Sequence, residues 1–188
     1  MTFLKDTIDN ISAEDIMILR LNNSKSILFS ENGYRSDSLP LSDKGDAIRT
    51  DILANGSEKY DKGAVSYSVL KDFSNKKLTF TDDAGGDQMK YEEVMPQFNW
   101  KSTNKRKQIG GYSCQKATCS FRSWTYEARF TTETPIDNGP WKFHGLPGPV
   151  MEVSDSRNQY KSEFAYMDKN QSYITSLSRD YTNTTREK

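Results

Sequence analysis

The chain is poor in the residues on which most catalytic sites are built. It has one histidine, His144, and two cysteines, Cys114 and Cys119. A hydrolase needs a nucleophile, a base and a group that orients the base, so any serine or cysteine nucleophile would have to share His144. No Gly-x-Ser-x-Gly segment accompanies it. A Cys114–His144 dyad can be drawn, but the plainer reading is a loop histidine beside Gly145 and a buried strand cysteine. Cys-x4-Cys with a single histidine lacks the ligand spacing of zinc sites, and there is no glycine loop of the phosphate-cradling kind. Asp82, Asp83 and Asp87 around Gly85-Gly86 do not fit an EF-hand and read as a solvated acidic turn. Neighbouring carboxylates Glu92 and Glu93 point to opposite faces of a strand, so they cannot work as the paired acids of a carbohydrate enzyme. No metal or cofactor is expected from this inventory.

Charge of one sign is also missing. Lys and Arg number 26 and Asp and Glu number 26, for a net charge of zero. Without a basic field, nucleic-acid binding is not the expected job. The one dense basic run, Lys101 to Lys107, reads as a solvated turn. Apolar runs stay well short of the ~18 residues of a transmembrane helix. The start, Met1 to Asp6, lacks the apolar core of a signal peptide. What the chain does have is aromatic side chains: ten Tyr, nine Phe and three Trp among 188 residues. They bring large buried area to a sequence lean in aliphatics, and they suit antiparallel sheets with one wet face. The two cysteines, five residues apart, would lie roughly 16 Å apart on a continuous strand. A disulfide needs Cα atoms within about 7 Å, so two reduced, buried thiols are expected.

Strand patterns run through most of the chain. Residues 16–21 and 26–30, joined by Asn22-Asn23-Ser24, predict a hairpin. Ser42 as a cap, with Ile48, Ile52 and Leu53 on one face and Asn55-Gly56 as a stop, predicts a short helix near 42–54. Val65, Tyr67 and Val69 alternate, as do Leu78 with Phe80 and Met89 with Tyr91, and Pro96 ends that last strand. Gly110-Gly111 opens a strand running to Arg122. Ser123-Trp124-Thr125 connects it to a second strand, with Tyr126, Ala128 and Phe130 on one face and Glu127, Arg129 and Thr131 on the other. Cys114 is out of phase with Ala117, Cys119 and Phe121, which predicts a β-bulge near Gln115-Lys116. A last hairpin joins Val150–Val153 to Tyr160–Tyr166. From about 171 the tail is polar.

The stretch from Gly110 to Phe164 resembles the GLPGLI family of Bacteroidetes proteins. Gly111-Tyr112-Ser113-Cys114-Gln115-Lys116-Ala117 is similar to that family's Gly-Tyr-x-Cys-x-Lys-Ala. Phe130-Thr131-Thr132-Glu133-Thr134-Pro135-Ile136 and Gly139-Pro140-Trp141-Lys142-Phe143 follow in the same order. The segment that gives the family its name is matched by Gly145-Leu146-Pro147-Gly148-Pro149-Val150. Lys25–Ser30, Asp37-Ser38 and Phe98-Asn99-Trp100-Lys101 add upstream likeness. Arg129 stands where an aromatic is usual, Pro149 replaces the second Leu, and Ser123-Trp124 replaces a Gly-Arg pair. The resemblance implies a secreted or periplasmic protein whose precursor carries a signal peptide not present in this chain. It implies no reaction, since the family's biochemical activity is not established. Its strands are also similar to the half barrel of periplasmic lipoprotein carriers.

The expected architecture is therefore mainly β (α+β): a single domain over 1–188 with one curved antiparallel sheet of the half-barrel kind and a short helix. Within it, segment 139–149 is the functional candidate. Pro140, Pro147 and Pro149 fix φ, while Gly139, Gly145 and Gly148 permit φ > 0, so the backbone has a defined shape. Trp141, Phe143 and Leu146 are too apolar for an idle loop. They either plug one end of the sheet core or line a groove, and with His144 and Trp124 they are the candidate binding residues. The expected function is non-catalytic: binding an apolar or peptide-like ligand, or a cell-envelope protein, on the concave sheet face. The rivals are an envelope enzyme using His144, Cys114 or both, and a structural assembly module. A cleft lined by aromatics favours binding, and one that gathers His144 with carboxylates favours chemistry. An exposed apolar patch or edge strand without a pocket favours assembly.

Overall fold

The turn at Asn22-Asn23-Ser24 folds the chain back as its residue types predict. Asn22 Oδ1 accepts from the backbone N–H groups of Ser24 (2.9 Å) and Lys25 (2.8 Å), which closes the hairpin locally. Its arms are β3 (Met17–Leu21) and β4 (Lys25–Ser30), with Leu19 opposite Leu28. This hairpin belongs to a computed structural model that describes residues 2–6, 11–38, 64–84, 87–169, 174 and 180–185. The helix expected near 42–54 lies outside the described residues. A different short helix, α1 (Glu31–Ser38), follows β4 directly. The Ser30 hydroxyl accepts from Gly33 N–H at 3.1 Å as an N-cap, and Glu31 favours the positive end of the helix dipole. Asn32-Gly33 reads locally as a turn, which hides the helix in the sequence.

The other strands are β1 (Thr2–Asp6), β2 (Ile11–Glu14), β5 (Ser68–Asp72), β6 (Lys77–Ala84), β7 (Asp87–Val94), β8 (Lys101–Ile109), β9 (Tyr112–Phe121), β10 (Trp124–Thr131), β11 (Val150–Asp155), β12 (Tyr160–Glu163) and β13 (Thr182–Asn183). The mainly-β class with antiparallel pairing and one short helix is what the structure shows. The strands divide into two sheets where one was expected. The first, seven-stranded, runs β2-β1-β12-β11-β10-β9-β8, and the second, six-stranded, runs β13-β7-β6-β5-β4-β3. Neither closes into a barrel among the described residues. The polar tail returns to the second sheet, where β13 pairs with β7 in parallel. No helix of the described residues is long and apolar enough to cross a membrane.

The alternation on β10 is realised. Tyr126, Ala128 and Phe130 are buried together, while Glu127 and Arg129 face the other way. There they join an ion chain, Lys107–Glu152–Arg129–Glu127–Lys116, across β8 to β11. The connection to β9 is tighter than expected, with Arg122 (φ 52°) and Ser123 (φ 66°) as a two-residue turn and Phe121 opposite Trp124. The bulge expected at Gln115-Lys116 is absent between β9 and β10, whose register is continuous from Phe121 to Cys114. It lies instead on β8, between Ser102 and Arg106. Cys114 is out of phase because it is buried on the opposite face of the sheet from Cys119, at the end where Phe164 packs on Tyr112. The basic run Lys101–Lys107 is likewise not a turn. It is the edge strand β8, and lysines are a usual way to keep such an edge from pairing with another chain.

Two apolar clusters result among the described residues. Phe98, Cys119, Tyr126, Phe130, Phe143, Leu146 and Val153 are among those forming the larger, on the first sheet. Leu28, Val69 and Leu78 form the smaller, on the second. Trp141 packs against both.

Candidate functional site

Segment 139–149 is anchored to the second sheet from beneath. Lys71 of β5 is fully buried, and its Nζ donates to Asn138 Oδ1 (2.8 Å), Gly139 O (2.7 Å) and Phe143 O (2.8 Å). Burial, opposed by the charge of Asp137, pulls the ammonium down to about 7. Three acceptors match the three N–H groups of the protonated amine, so these hydrogen bonds favour the charged form that burial disfavours. The loop closes on itself as Gly145 N–H donates to Asp137 Oδ1 (2.5 Å), with Gly145 at φ 88°. Gly139 and Gly148 do not use positive φ. They are small because other atoms come close: a Cβ on Gly148 would stand 1.7 Å from the Thr131 carbonyl oxygen.

Lys142 crosses the other way. Its side chain is buried, and Nζ donates to Tyr91 Oη (2.8 Å) and Glu93 Oε1 (2.5 Å). The ammonium lies over the rings of Phe80, Tyr91 and Trp141 at 5.1–5.5 Å. Arg122 Nη2 pairs with the second Glu93 oxygen at 3.0 Å. Burial would raise the Glu93 carboxyl, but the two cations outweigh it and hold it low. Glu92 faces outward to Lys77 and Lys90, so the two carboxylates do part as strand geometry requires.

The five candidate binding residues separate in space. Phe143 and Leu146 are core. Trp124 is half-buried at the start of β10, with the Arg157 guanidinium 4.5 Å above its ring. His144 points to the β7–β8 connection, its Nε2 2.8 Å from Pro96 O, edge-on to Phe98 and Phe73, with its own carbonyl accepting from Trp100 Nε1 (2.8 Å). Burial, then Lys71, lowers its pKa, which favours the neutral ring. Cys114 sits on β9 opposite Thr131, its thiol turned to Tyr112 O, and is not brought to His144. Burial pushes both thiols up, Cys119 to about 11. Asp82 accepts from Ser66 and Asp83 from Gln88, and no group of three or more metal-ligating side chains is gathered among the described residues.

Trp141, half-buried and at φ 47°, is the candidate that reaches a cavity. A cleft of about 350 Å³ is lined by residues 64–67, Tyr126, Trp141 and Tyr160. It draws on both sheets: the approach to β5, the inner face of β10, and β12. The Tyr67 phenol is raised by burial, then by Asp82 and Asp15, and Tyr126 by burial and Asp155. Tyr160 is raised well above the usual range by burial, then by Tyr67, so these phenols stay protonated. Its hydroxyl is buried without a hydrogen bond of ordinary geometry, although Ser162 stands near. The three tyrosines escape a sequence reading because they come from separate segments, the approach to β5, β10 and β12, with no local spacing between them.

No family model matches the chain, and no curated protein matches it in sequence. Two solved structures of PNGF-II, in different space groups, are similar in fold. One has a TM-score of 0.54 at 16% identity, over 91% of this chain and 28% of that chain. The other has 0.51 at 16% identity, over 84% and 26%. The chain thus spans well under a third of the PNGF-II chain, and the likeness is one of fold.

Proposed function

We propose that this domain is a non-catalytic binding module of the bacterial envelope, of the GLPGLI kind, that receives a small ligand in the aromatic cleft. The carrying observation is the cleft itself, walled by Tyr67, Tyr126, Trp141 and Tyr160 with no histidine or cysteine among its lining residues. Its volume falls in the range of small-molecule sites, and apolar walls with a few polar groups are their usual make-up. The enzyme reading draws no support from His144, bonded to a backbone carbonyl, or from the buried thiols. The ordered motifs between Gly111 and Val150 support the family kinship and, with it, a place outside the cytoplasm. An apolar leader in the encoded precursor would agree with that place.

The test is native mass spectrometry of the full chain incubated with a library of small, apolar-bodied compounds. Trp141→Leu and Tyr67→Leu, each shown to be folded by circular dichroism, serve as comparisons. Adducts lost in both variants support the cleft. Adducts kept equally by both overturn it.

A further inference from the structure

We infer that the cleft selects a compact organic cation, a primary or methylated ammonium head of small-molecule size. This deepens the binding reading above and rests on it. The faces of aromatic rings attract ammonium groups, and four rings stand around this cleft with Val65 and Ser66. No Lys, Arg or His is among the lining residues.

Behind the rings the wall is acidic. Asp15 Oδ2 accepts from Val65 N–H at 2.8 Å, Asp82 Oδ1 from the Ser66 hydroxyl at 2.6 Å, and Asp155 Oδ2 from Tyr160 N–H at 2.5 Å. Three carboxylates are thus each one hydrogen bond from a lining residue, and Asp15 and Asp155 are buried, where charges are poorly screened. Their field reaches the phenols, since Asp82 and Asp15 raise Tyr67 and Asp155 raises Tyr126 after burial. Of the nearby cations, Lys142 and Arg122 are both bonded to Glu93. An anion in the cleft would meet three carboxylates, and a neutral body would gain no attraction from them. The protein already stabilises one ammonium in this manner, since Lys142 Nζ stands over Phe80, Tyr91 and Trp141. Trp141 is shared between that internal cage and the cleft.

Three probes of matched shape and different charge test this: choline, 3,3-dimethylbutan-1-ol and 3,3-dimethylbutanoate. Each is titrated calorimetrically into the full chain near neutral pH and low salt. Choline is expected to bind about tenfold more tightly than the alcohol, with the anion weakest. Asp82→Asn, which keeps an acceptor for Ser66, is expected to weaken choline several-fold and leave the alcohol unchanged. Alcohol binding equal to choline, or choline binding indifferent to Asp82→Asn, overturns the cation preference and leaves the binding reading standing. No binding of any of the three probes up to about 10 mM overturns both.

Discussion

The ammonium of Lys71, on one sheet, donates at 2.8 Å to the carbonyl of Phe143, whose ring fills the core of the other. One side chain thereby ties the floor of the second sheet to the loop that completes the first.

Removing it should be felt at once. Lys71→Met leaves the Gly139 and Phe143 carbonyls buried without this donor, at ~1–3 kcal/mol each. A loss of about 2–5 kcal/mol is expected in urea unfolding, against less than ~1 kcal/mol for Lys25→Met, where the exposed lysine side chain pairs with Asp72 at the surface end of β4. Equal effects would mean the three hydrogen bonds hold nothing.

Lys71 also gives stability a pH slope. Its folded value is about 7 against an ordinary 10.5, so between the two the unfolded chain binds the extra proton. Stability should rise with pH through that window and flatten below about 7, where both states are protonated. Cys119, raised to about 11 from 9.0, acts in the opposite direction above about 9. The clean interval is therefore roughly pH 7 to 8.5, with a slope on the order of 1 kcal/mol per pH unit that Lys71→Met should abolish.

The thiols should be silent until the chain unfolds. Cys114 and Cys119 are free, buried and on opposite faces of one sheet. Thiol titration should find two groups per chain in denaturant without reductant, and neither reacting promptly in the native protein. A fast native thiol would contradict the burial of β9.

Truncations within the loop should rank by burial. Phe143→Ala removes a fully buried ring and should cost ~3–5 kcal/mol. Trp141→Ala removes a half-buried one and should cost less, so that this variant melts lower but remains folded. A Trp141→Ala melt below that of Phe143→Ala would make Trp141, and not Phe143, the plug of the core.

Gly148→Ala should fail outright. Its new methyl would overlap the Thr131 carbonyl oxygen, a backbone atom held in the β10–β11 region and unable to step aside. Soluble, cooperatively melting Gly148→Ala protein would show that the loop is not packed there as described.

Much of the first sheet was legible in the chain. Alternation at Tyr126, Ala128 and Phe130 marks a strand whose faces differ, and that difference survives folding because one face meets the core and the other water. Strand β8 was not legible: Lys-Ser-Thr-Asn-Lys-Arg-Lys is polar on both faces because an edge strand there buries neither. Cys114 misled because burial on the outer face mimics a slip in phase. Segment 139–149 was identifiable by its prolines and glycines, but Lys71, which holds it, has no local mark in the sequence. The cleft depends on residues that only the pairing of distant strands brings together.

The basic edge strand has a bearing on how copies of the protein meet one another. Two molecules approaching along β8 would set Lys101, Lys105 and Arg106 of one against the same row of the other. The edge of β8 has no neighbouring strand among the described residues; such an edge invites strand-to-strand growth, and the charge row repels it at the distance where growth would begin. Such repulsion weakens as ions crowd in, over a screening length of about 10 Å at 0.1 M salt. From this side, ionic strength should therefore tune self-association: copies are expected to stay dispersed in dilute buffer and to adhere increasingly in concentrated salt.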